Sequence, residues 1–332
     1  MDGVKSAVQD ATCLVDRFLA PGFMVCSMSS SDCMRSSMDP ASVDGTDDLR
    51  AHSSLFSTAV FRTLSETGYI PAVPQLDRLI EAARPDTPLR DVFEDSFHIL
   101  ERRYRSEYVY KNAVVSKIVF GRHSPNTANA LIEQPLGSSI ADVLVVNGTT
   151  TAYEVKTDFD DFNRLGSQLA DYSRHCERVN VVTSEKRAQK ATELTPDHIG
   201  VIALRKSGAL SVFRTAGGGT DRLNINSLYS MLRKHEALSI LHRAFGYTPD
   251  TGSGRLHSQM RELFGTLPLE FAHAECVHAL RLRGTADAAL FGSWSVPPAL
   301  RALIYGTPMS RAGRNRLMIR LERPAAAYTL TV

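Results

Sequence analysis

Residues 139–156 carry the strongest local pattern in the chain. They read Ser-Ile-Ala-Asp-Val-Leu-Val-Val-Asn-Gly-Thr-Thr-Thr-Ala-Tyr-Glu-Val-Lys. Ile140 to Val146 is almost wholly aliphatic, and a second run of strand-forming residues, Thr149 to Val155, follows directly after Asn147-Gly148. Asn-Gly between two such runs is the typical turn of a β-hairpin. The stretch therefore predicts two neighbouring antiparallel strands.

Three charged residues interrupt these apolar strands. Asp142 lies in the first strand, and Glu154 and Lys156 lie two residues apart on the second, so that strand periodicity places the last two on one face. Burying such groups is costly unless each has a partner. A divalent cation held by Asp142 and Glu154 would offset that cost, and carboxylate oxygens suit Mg²⁺ or Mn²⁺.

This interpretation imposes a condition on the hairpin loop. If Asn147 and Gly148 were the only loop residues, Asp142 would lie opposite Tyr153 and would face away from Glu154. A shared site therefore requires an odd-numbered loop or a bulge, with Gly148 in the left-handed conformation. We expect that geometry.

Outward from the hairpin, helical and extended patterns alternate. Helical spacing of apolar residues predicts one helix from Leu89 to Gly121, and a short extended piece covers 131–135. The pattern further predicts a helix at 160–175, strands at 179–183, 199–204 and 210–213, and helices at about 226–244, 255–265, 269–283 and 297–304. This order indicates an α/β core followed by a mostly helical addition.

The charged residues also match a known pattern. Asp142, eleven further residues and then Glu154-Val155-Lys156 resemble the PD-(D/E)XK signature of restriction-endonuclease-like nucleases, with Ala141 in the place of the proline. Gln168 and Tyr172 resemble the QxxxY element of RecB-type members. The run from about Leu89 to Leu282 is similar to an uncharacterised bacterial family of this superfamily.

This resemblance implies a role for each matching residue. It implies that Asp142, Glu154 and the carbonyl of Val155 bind the metal and that Lys156 is the catalytic lysine. Glu107 would be a helical acid that acts through the metal or its waters, and Gln168 and Tyr172 would be supporting or DNA-contacting groups. Glu133, on the strand entering the site, is a weaker candidate.

The implied protein is a Mg²⁺-dependent endonuclease, with Mn²⁺ as a substitute, that hydrolyses DNA with a metal-bound water as the nucleophile. The implied fold is a restriction-endonuclease-like core, a mixed central sheet flanked by helices. The setting would be phage or genome defence, or mobile-element biology. Whether the protein forms a homodimer or binds a protein partner is left open. Two other functions are also left open: a catalytically silent nucleic-acid-binding or regulatory protein on the same fold, and an RNA-cutting effector.

The expected organisation has three parts. Residues 1–86 form an N-terminal extension, flexible at first and then helical. Residues 87–215 form the nuclease core, and residues 216–332 form a helical region with a basic tail.

Each site residue also has a purely structural interpretation. Asp142, Glu154 and Lys156 could form ion pairs on a solvated sheet face. Glu107 could be an exposed acid paired with Lys111 one helical turn away. Gln168 and Tyr172 could only pack their helix against the sheet.

The composition of the chain limits which binding partners and which cellular compartment are expected. With 38 Lys+Arg against 36 Asp+Glu the chain is close to neutral, which excludes a uniformly cationic nucleic-acid coat. Local basic stretches at 101–122 and 301–323 remain candidates for phosphate contact. No run approaches the ~20 apolar residues of a membrane helix, and five scattered cysteines without a CxxC pair favour a reducing cytoplasm over a disulfide framework.

Overall fold

The computed structural model of the chain describes residues 46–68, 74–247 and 253–328. A six-stranded mixed sheet runs through the middle in the order β1-β2-β3-β4-β5-β6. The strands are β1 Asn129–Leu136, β2 Ser139–Val146, β3 Thr150–Lys156, β4 Arg178–Ser184, β5 Gly200–Leu204 and β6 Leu210–Arg214. The chain is therefore of the α/β class, as predicted.

Strand directions follow from the connections. β1, β2 and β3 form an antiparallel meander joined by short loops. β4 is parallel to β3 and β5 is parallel to β4, because a helix crosses over between each pair: α6 Leu165–His175 and α7 Glu185–Leu194. β6 is the last strand of the sheet and pairs antiparallel with β5.

Helices precede and follow the sheet. Those before it are α1 Thr46–Leu55, α2 Thr58–Glu66, α3 Pro74–Ala82, α4 Leu89–Arg103 and α5 Glu107–Val114, which continues as a π-helix over Val115–Arg122. Those after it are α8 Ile225–Ser230, α9 Lys234–Phe245, α10 Ser253–Gly265, α11 Leu269–Leu282, α12 Thr285–Ser293, α13 Arg301–Gly306 and α14 Arg311–Leu321. Short 3₁₀ segments cover Pro298–Leu300 and Ala325–Tyr328.

Two apolar cores lie on opposite faces of the sheet. The first, the α5-side core, joins Val143, Val145, Tyr153 and Val155 to α1–α5 and to the last helices of the chain. The second, the α6-side core, joins Leu144 and its neighbours to α6 and α8–α11. The C-terminal region 216–332 is thus divided, because its first helices cover one face of the sheet and its last helices pack against the N-terminal ones.

The predicted helix Leu89–Gly121 is broken in two. Tyr104 leaves the helix with φ −145° and ψ 89°, and α5 begins at Glu107. The break turns the Arg105 guanidinium toward the β5–β6 connection, where it donates to the carbonyl oxygens of Leu204 and Lys206 at 3.2 and 2.8 Å. A tertiary contact therefore ends a helix that the apolar pattern continues.

Other helices differ from the predicted boundaries. The predicted helix 226–244 is two helices, and α7, α12 and α14 were not predicted. α7 buries little more than Ala188 and Ala191, so it has almost no apolar stripe. α1 lies in the N-terminal extension predicted to be flexible at first and then helical, and residues 1–45 of that extension lie outside the described residues.

Among the described residues, no helix is long and apolar enough to cross a membrane. Two cysteines, Cys176 and Cys276, are free and buried, and burial raises the pKa of each thiol to about 12.

Candidate active site

The hairpin loop has the odd number of residues that the shared site requires. Val146 pairs with Thr150 and Val143 pairs with Tyr153, so that Asn147, Gly148 and Thr149 form a three-residue loop. Gly148 has φ +69°, the left-handed conformation expected of it. The predicted condition is confirmed, and it is met by the loop length itself.

β2 and β3 separate beyond the pair Val143–Tyr153, and the carboxylate of Asp142 lies in the fork between them. Its Oδ2 accepts a hydrogen bond of 2.7 Å from the backbone N–H of Val155. Ala141 and Leu144 pack in the same core although they are three residues apart, so the alternation of β2 is interrupted here. On β1, Glu133 has φ +54°, and among the described residues it is the only non-glycine with positive φ.

Glu154 and Lys156 point together into the α6 side of this fork. Nζ of Lys156 donates to Oε1 of Glu154 at 2.7 Å and to Oε1 of Gln168 at 3.0 Å. The Tyr172 hydroxyl lies 2.7 Å from Oε2 of Glu154 and 2.6 Å from the carbonyl oxygen of Ile140. α6 therefore brings Gln168 and Tyr172 to the predicted pair, rather than only packing on the sheet.

Lys111 is the site residue that sequence reasoning missed. It appeared only as a helical partner of Glu107, yet its ammonium group contacts three carboxylates. It pairs with Glu107 and lies 3.2 Å from Glu133 Oε1 and 3.4 Å from Asp142 Oδ1. The available signal was a lysine in a helix whose neighbours Val109, Tyr110 and Val114 are core residues.

We call these six charged side chains the acidic cluster: Glu107, Glu133, Asp142, Glu154, Lys111 and Lys156. Asp142, Glu154 and both lysines are largely buried, whereas the side chains of Glu107 and Glu133 are 56% and 67% exposed. Four carboxylates and two ammonium groups give a formal charge of −2. The excess negative charge lies at the solvent-facing rim and favours a cation.

The surroundings shift the pKa values of the cluster. Burial and the neighbouring Glu154 raise the pKa of Asp142 to about 7, against the opposing effect of Lys111. Burial opposes the charged form of Lys111, but Asp142, Glu107 and Glu133 raise its pKa above the usual range. Burial and Glu154 raise the pKa of Tyr172, so its hydroxyl stays protonated and can donate.

The donor set of the cluster suits a hard divalent cation, because its ligand atoms are carboxylate oxygens in a region of excess negative charge. Within the described part of the chain, no three His, Cys, Asp or Glu side chains already converge as a ligand group. Each oxygen of Asp142 and Glu154 has a partner inside the protein: Lys111, the Val155 amide, Lys156 or Tyr172. A cation bound by these carboxylates would therefore share or replace a contact that a lysine, the Val155 amide or the Tyr172 hydroxyl now makes. The role of the Val155 carbonyl stays a prediction.

The basic stretch 301–323 is used mainly for internal contacts. In 301–323, Arg314 pairs with Asp287 at 2.6 Å, Arg316 donates to the Ser65 carbonyl, and Arg320 donates to the Leu64 carbonyl. Arg301 lies over the Phe120 ring at 4.2 Å. Four of the six arginines thus fasten C-terminal helices to the rest of the protein, and contact of this stretch with phosphates stays a prediction.

Comparison with known proteins gives one family. A family model described as "Bacteriophage P4 protein cII" matches residues 101–286, more than half of the chain and a range that includes the acidic cluster. A curated relative, "Protein cII" of Enterobacteria phage P4, is 27% identical over 128 residues, which are 38% of this chain. The chain spans about half the length of this relative, 47%.

A solved structure, a protein of unknown function from Silicibacter pomeroyi, aligns with 38% of this chain and 86% of its own. The sequence identity is 16% and the TM-score is 0.26.

Proposed function

The chain belongs to the bacteriophage P4 protein cII family, and from the fork between β2 and β3 we propose that it is a metal-dependent nuclease that hydrolyses phosphodiester bonds in DNA. The observation that carries this proposal is the meeting of Asp142, Glu154 and Lys156 with Gln168 and Tyr172 at one point. These five residues come from two strands and a helix, and an ion pair on a solvated sheet face would not need them all.

The strand pattern supports the finer fold proposal, a restriction-endonuclease-like core. β1–β3 form an antiparallel meander, α6 crosses over, and β4 returns parallel to β3. The proposed catalytic residues lie where β2 and β3 diverge, so that side chains from both strands and from α6 can reach one substrate group.

Each protein residue has a task in the proposed reaction. Lys156, held by Glu154 and Gln168, would orient a water molecule and stabilise negative charge that develops on the phosphate. Tyr172 fixes the Glu154 carboxylate by its hydroxyl hydrogen, and the Val155 amide fixes the Asp142 carboxylate. Gln168 limits the rotation of the Lys156 side chain, which reduces the ordering needed before attack.

Asp142 and Glu154 would hold Mg²⁺ or Mn²⁺, and Glu107 and Glu133 would bind its waters at the rim. The ion would supply Lewis-acid stabilisation of the phosphate charge. The exposure of Glu107 and Glu133 fits that outer role, because their carboxylates reach solvent while Asp142 and Glu154 are largely buried.

The setting of the reaction is part of the same proposal. The curated relative is a phage protein, which supports a role in phage or mobile-element biology. The substrate is proposed to be DNA, and RNA is an outcome that the test below distinguishes.

The test is a cleavage assay on the purified full chain. Circular DNA, linear DNA and RNA are incubated with Mg²⁺, with Mn²⁺ and with EDTA. Lys156→Ala is compared with Lys206→Ala, an exposed lysine in the β5–β6 turn. We expect metal-dependent cutting of DNA that is lost in Lys156→Ala, by a factor of about 100 or more, and kept in Lys206→Ala.

Other outcomes point elsewhere. Cutting of RNA alone would replace DNA as the substrate. Salt-sensitive binding of nucleic acid without cutting, equal in both variants, would overturn the nuclease and favour a binding protein on the same fold. One observation favours this alternative: all four carboxylate oxygens of Asp142 and Glu154 already have partners inside the protein.

A further inference from the structure

A pocket lies on the other face of the sheet from the acidic cluster. Its volume is about 410 Å³, within the range of small-molecule sites. Its floor includes Tyr153 and Ile202, which belong to the α5-side core, and one wall is the end of the π-helix. We call it the sheet pocket.

Two buried polar side chains face this pocket without a partner. The residues Tyr153 and Asn180 are 5% and 7% exposed, and both line the pocket. Neither the Tyr153 hydroxyl nor the Asn180 amide forms a hydrogen bond with any residue that the structure describes. The buried side-chain atoms that lack a hydrogen-bond partner among the described residues do not include those of Tyr153 and Asn180. Their polar atoms therefore open onto the pocket and can bind a molecule that enters it.

The charged groups of the sheet pocket are cationic. Arg122 and Arg178 line it, and its described lining contains no Asp or Glu. Arg122 forms no ion pair with a described residue, and Arg178 has one long contact, 3.7 Å from Glu177. Burial raises the pKa of Tyr153 to about 12, against the opposing effect of Arg122 and Arg178, so the phenol stays protonated and can donate a hydrogen bond. The pocket is therefore built for an anion.

His123 adds a further donor. Its Nδ1 lies 2.8 Å from the Asn147 amide nitrogen and accepts a hydrogen bond from it, which leaves the hydrogen of the neutral ring on Nε2. Burial and Arg122 lower the pKa of His123, so the ring is neutral at pH 7.

Ile118, Val145, Leu210 and Val212 form an apolar part of the remaining wall, and Thr149, Thr151 and Thr215 form a polar part. An anion alone would leave the apolar part in contact with water, whereas a ligand with a flat ring would cover it. The Asn180 amide offers a donor and an acceptor side by side, which matches the edge of a nucleobase. Arg122 and Arg178 match a phosphate group.

We propose that the sheet pocket binds a nucleoside monophosphate, with the phosphate at Arg122 and Arg178 and the base against the apolar wall, its edge at Asn180. The site is distinct from the acidic cluster, because Tyr153 and Glu154 are consecutive on β3 and point to opposite faces of the sheet. A bound nucleotide would contact the same strand that carries Glu154 and Lys156.

The test is calorimetric titration of the full chain with adenosine and uridine monophosphates, each nucleoside alone, and inorganic phosphate. We expect saturable binding of a monophosphate about tenfold or more tighter than the nucleoside or phosphate alone. Arg122→Gln should weaken it about tenfold, and Tyr153→Phe roughly fivefold. Arg102→Gln, an exposed arginine of α4 outside the pocket, is the matched control and should bind as the wild type does.

Thermal midpoints of all variants are measured beside the titrations, so that loss of binding is separated from loss of fold. Equal affinity for phosphate and monophosphate would overturn the nucleotide assignment. So would binding unchanged by Arg122→Gln and Tyr153→Phe, or the absence of saturable binding of either monophosphate. These results do not depend on whether the acidic cluster cuts DNA.

Discussion

The ammonium group of Lys111 lies 3.4 Å from Oδ1 of Asp142, while Oδ2 of the same carboxylate accepts a hydrogen bond from the Val155 amide. A lysine of α5 thus neutralises the acid in the fork between β2 and β3. The same ammonium group also joins the exposed Glu107 and Glu133 to that acid. The Lys111 ammonium group would therefore compete with a bound metal cation for the Asp142 carboxylate.

Lys111→Met is predicted to make the folded protein dependent on divalent ions. Removing one partner of a buried ion pair costs about 3–5 kcal/mol, because Asp142 is left without its counter-charge. Mn²⁺ binding to the freed carboxylates should return much of that loss. The measurement is the free energy of unfolding of wild type and variant in EDTA and across a Mn²⁺ titration.

Glu107→Gln is the control for that experiment. Glu107 is more than half exposed, so its loss should cost under about 1 kcal/mol. If Mn²⁺ stabilises Lys111→Met no more than it stabilises the wild type, the carboxylates do not bind the metal and the assignment fails.

Tyr172→Phe is predicted to destabilise the fork and to lower nuclease activity together. The hydroxyl lies within hydrogen-bond distance of the Glu154 carboxylate and the Ile140 carbonyl, and loss of its single hydrogen, donated to Glu154, would leave a buried acceptor unpaired at a cost of about 2 kcal/mol. Chemical denaturation and the cleavage assay measure the two effects. Tyr247→Phe, whose hydroxyl bonds to Gln259 in a half-buried position, is the matched control and should change neither by much. Wild-type stability in Tyr172→Phe would contradict the role assigned to the hydroxyl.

Asp171 is predicted to make the protein lose stability in acid. It accepts hydrogen bonds from Ser138, Ser139 and Arg174, which overcome burial and lower its pKa from 3.8 to about 2. Because the folded pKa is the lower one, the contribution is complete above the unfolded pKa near 3.8 and is lost as the pH falls toward 2. Its size is about 2 kcal/mol.

Asp171→Asn should therefore be about 2 kcal/mol less stable than the wild type at pH 7, with the difference closing between pH 4 and pH 2. Unfolding curves at several pH values measure this. Asp86→Asn, an exposed acid, should follow the wild type throughout. A gap between Asp171→Asn and wild type that stays constant down to pH 2 would refute the electrostatic explanation.

Gly148→Ala is predicted to destabilise the hairpin by about 1 kcal/mol. No atom lies within 4 Å of the position of an added Cβ, so the whole cost comes from the left-handed backbone at φ +69°. Gly254→Ala in α10 has equal space but helical backbone, so it should raise stability by up to about 1 kcal/mol. Thermal or denaturant midpoints of the two variants measure the contrast, and changes of the same sign would contradict the assignment of the cost to the left-handed backbone.

Much of the sheet could be predicted because its strands are encoded locally. The Asn-Gly turn and the aliphatic runs around it place β2 and β3 to within a residue, and the requirement for an odd loop follows from strand periodicity. The helix of Gln168 and Tyr172 follows from its apolar spacing. These features depend on residues close together in the chain, and the pattern of a single segment contains them.

The errors arise where distant residues decide. The break before α5 depends on Arg105 reaching carbonyl groups about a hundred residues away. α7 has few apolar residues, and its existence follows from the need to connect two parallel strands. The basic stretch 301–323 looked free in sequence, yet most of its arginines have partners on α2, α12 or the π-helix.

The sequence by itself determined which strands form, that their faces carry Asp142, Glu154 and Lys156, and that one helix face carries Gln168 and Tyr172, because backbone periodicity follows from local residue types. Only the tertiary structure decided that β2 and β3 diverge at Asp142, that Lys111 enters the acidic cluster from α5, and that Tyr153 and Asn180 are left unpartnered beside two arginines. Those arrangements depend on packing between segments far apart in the chain, where charge, burial and shape are settled together.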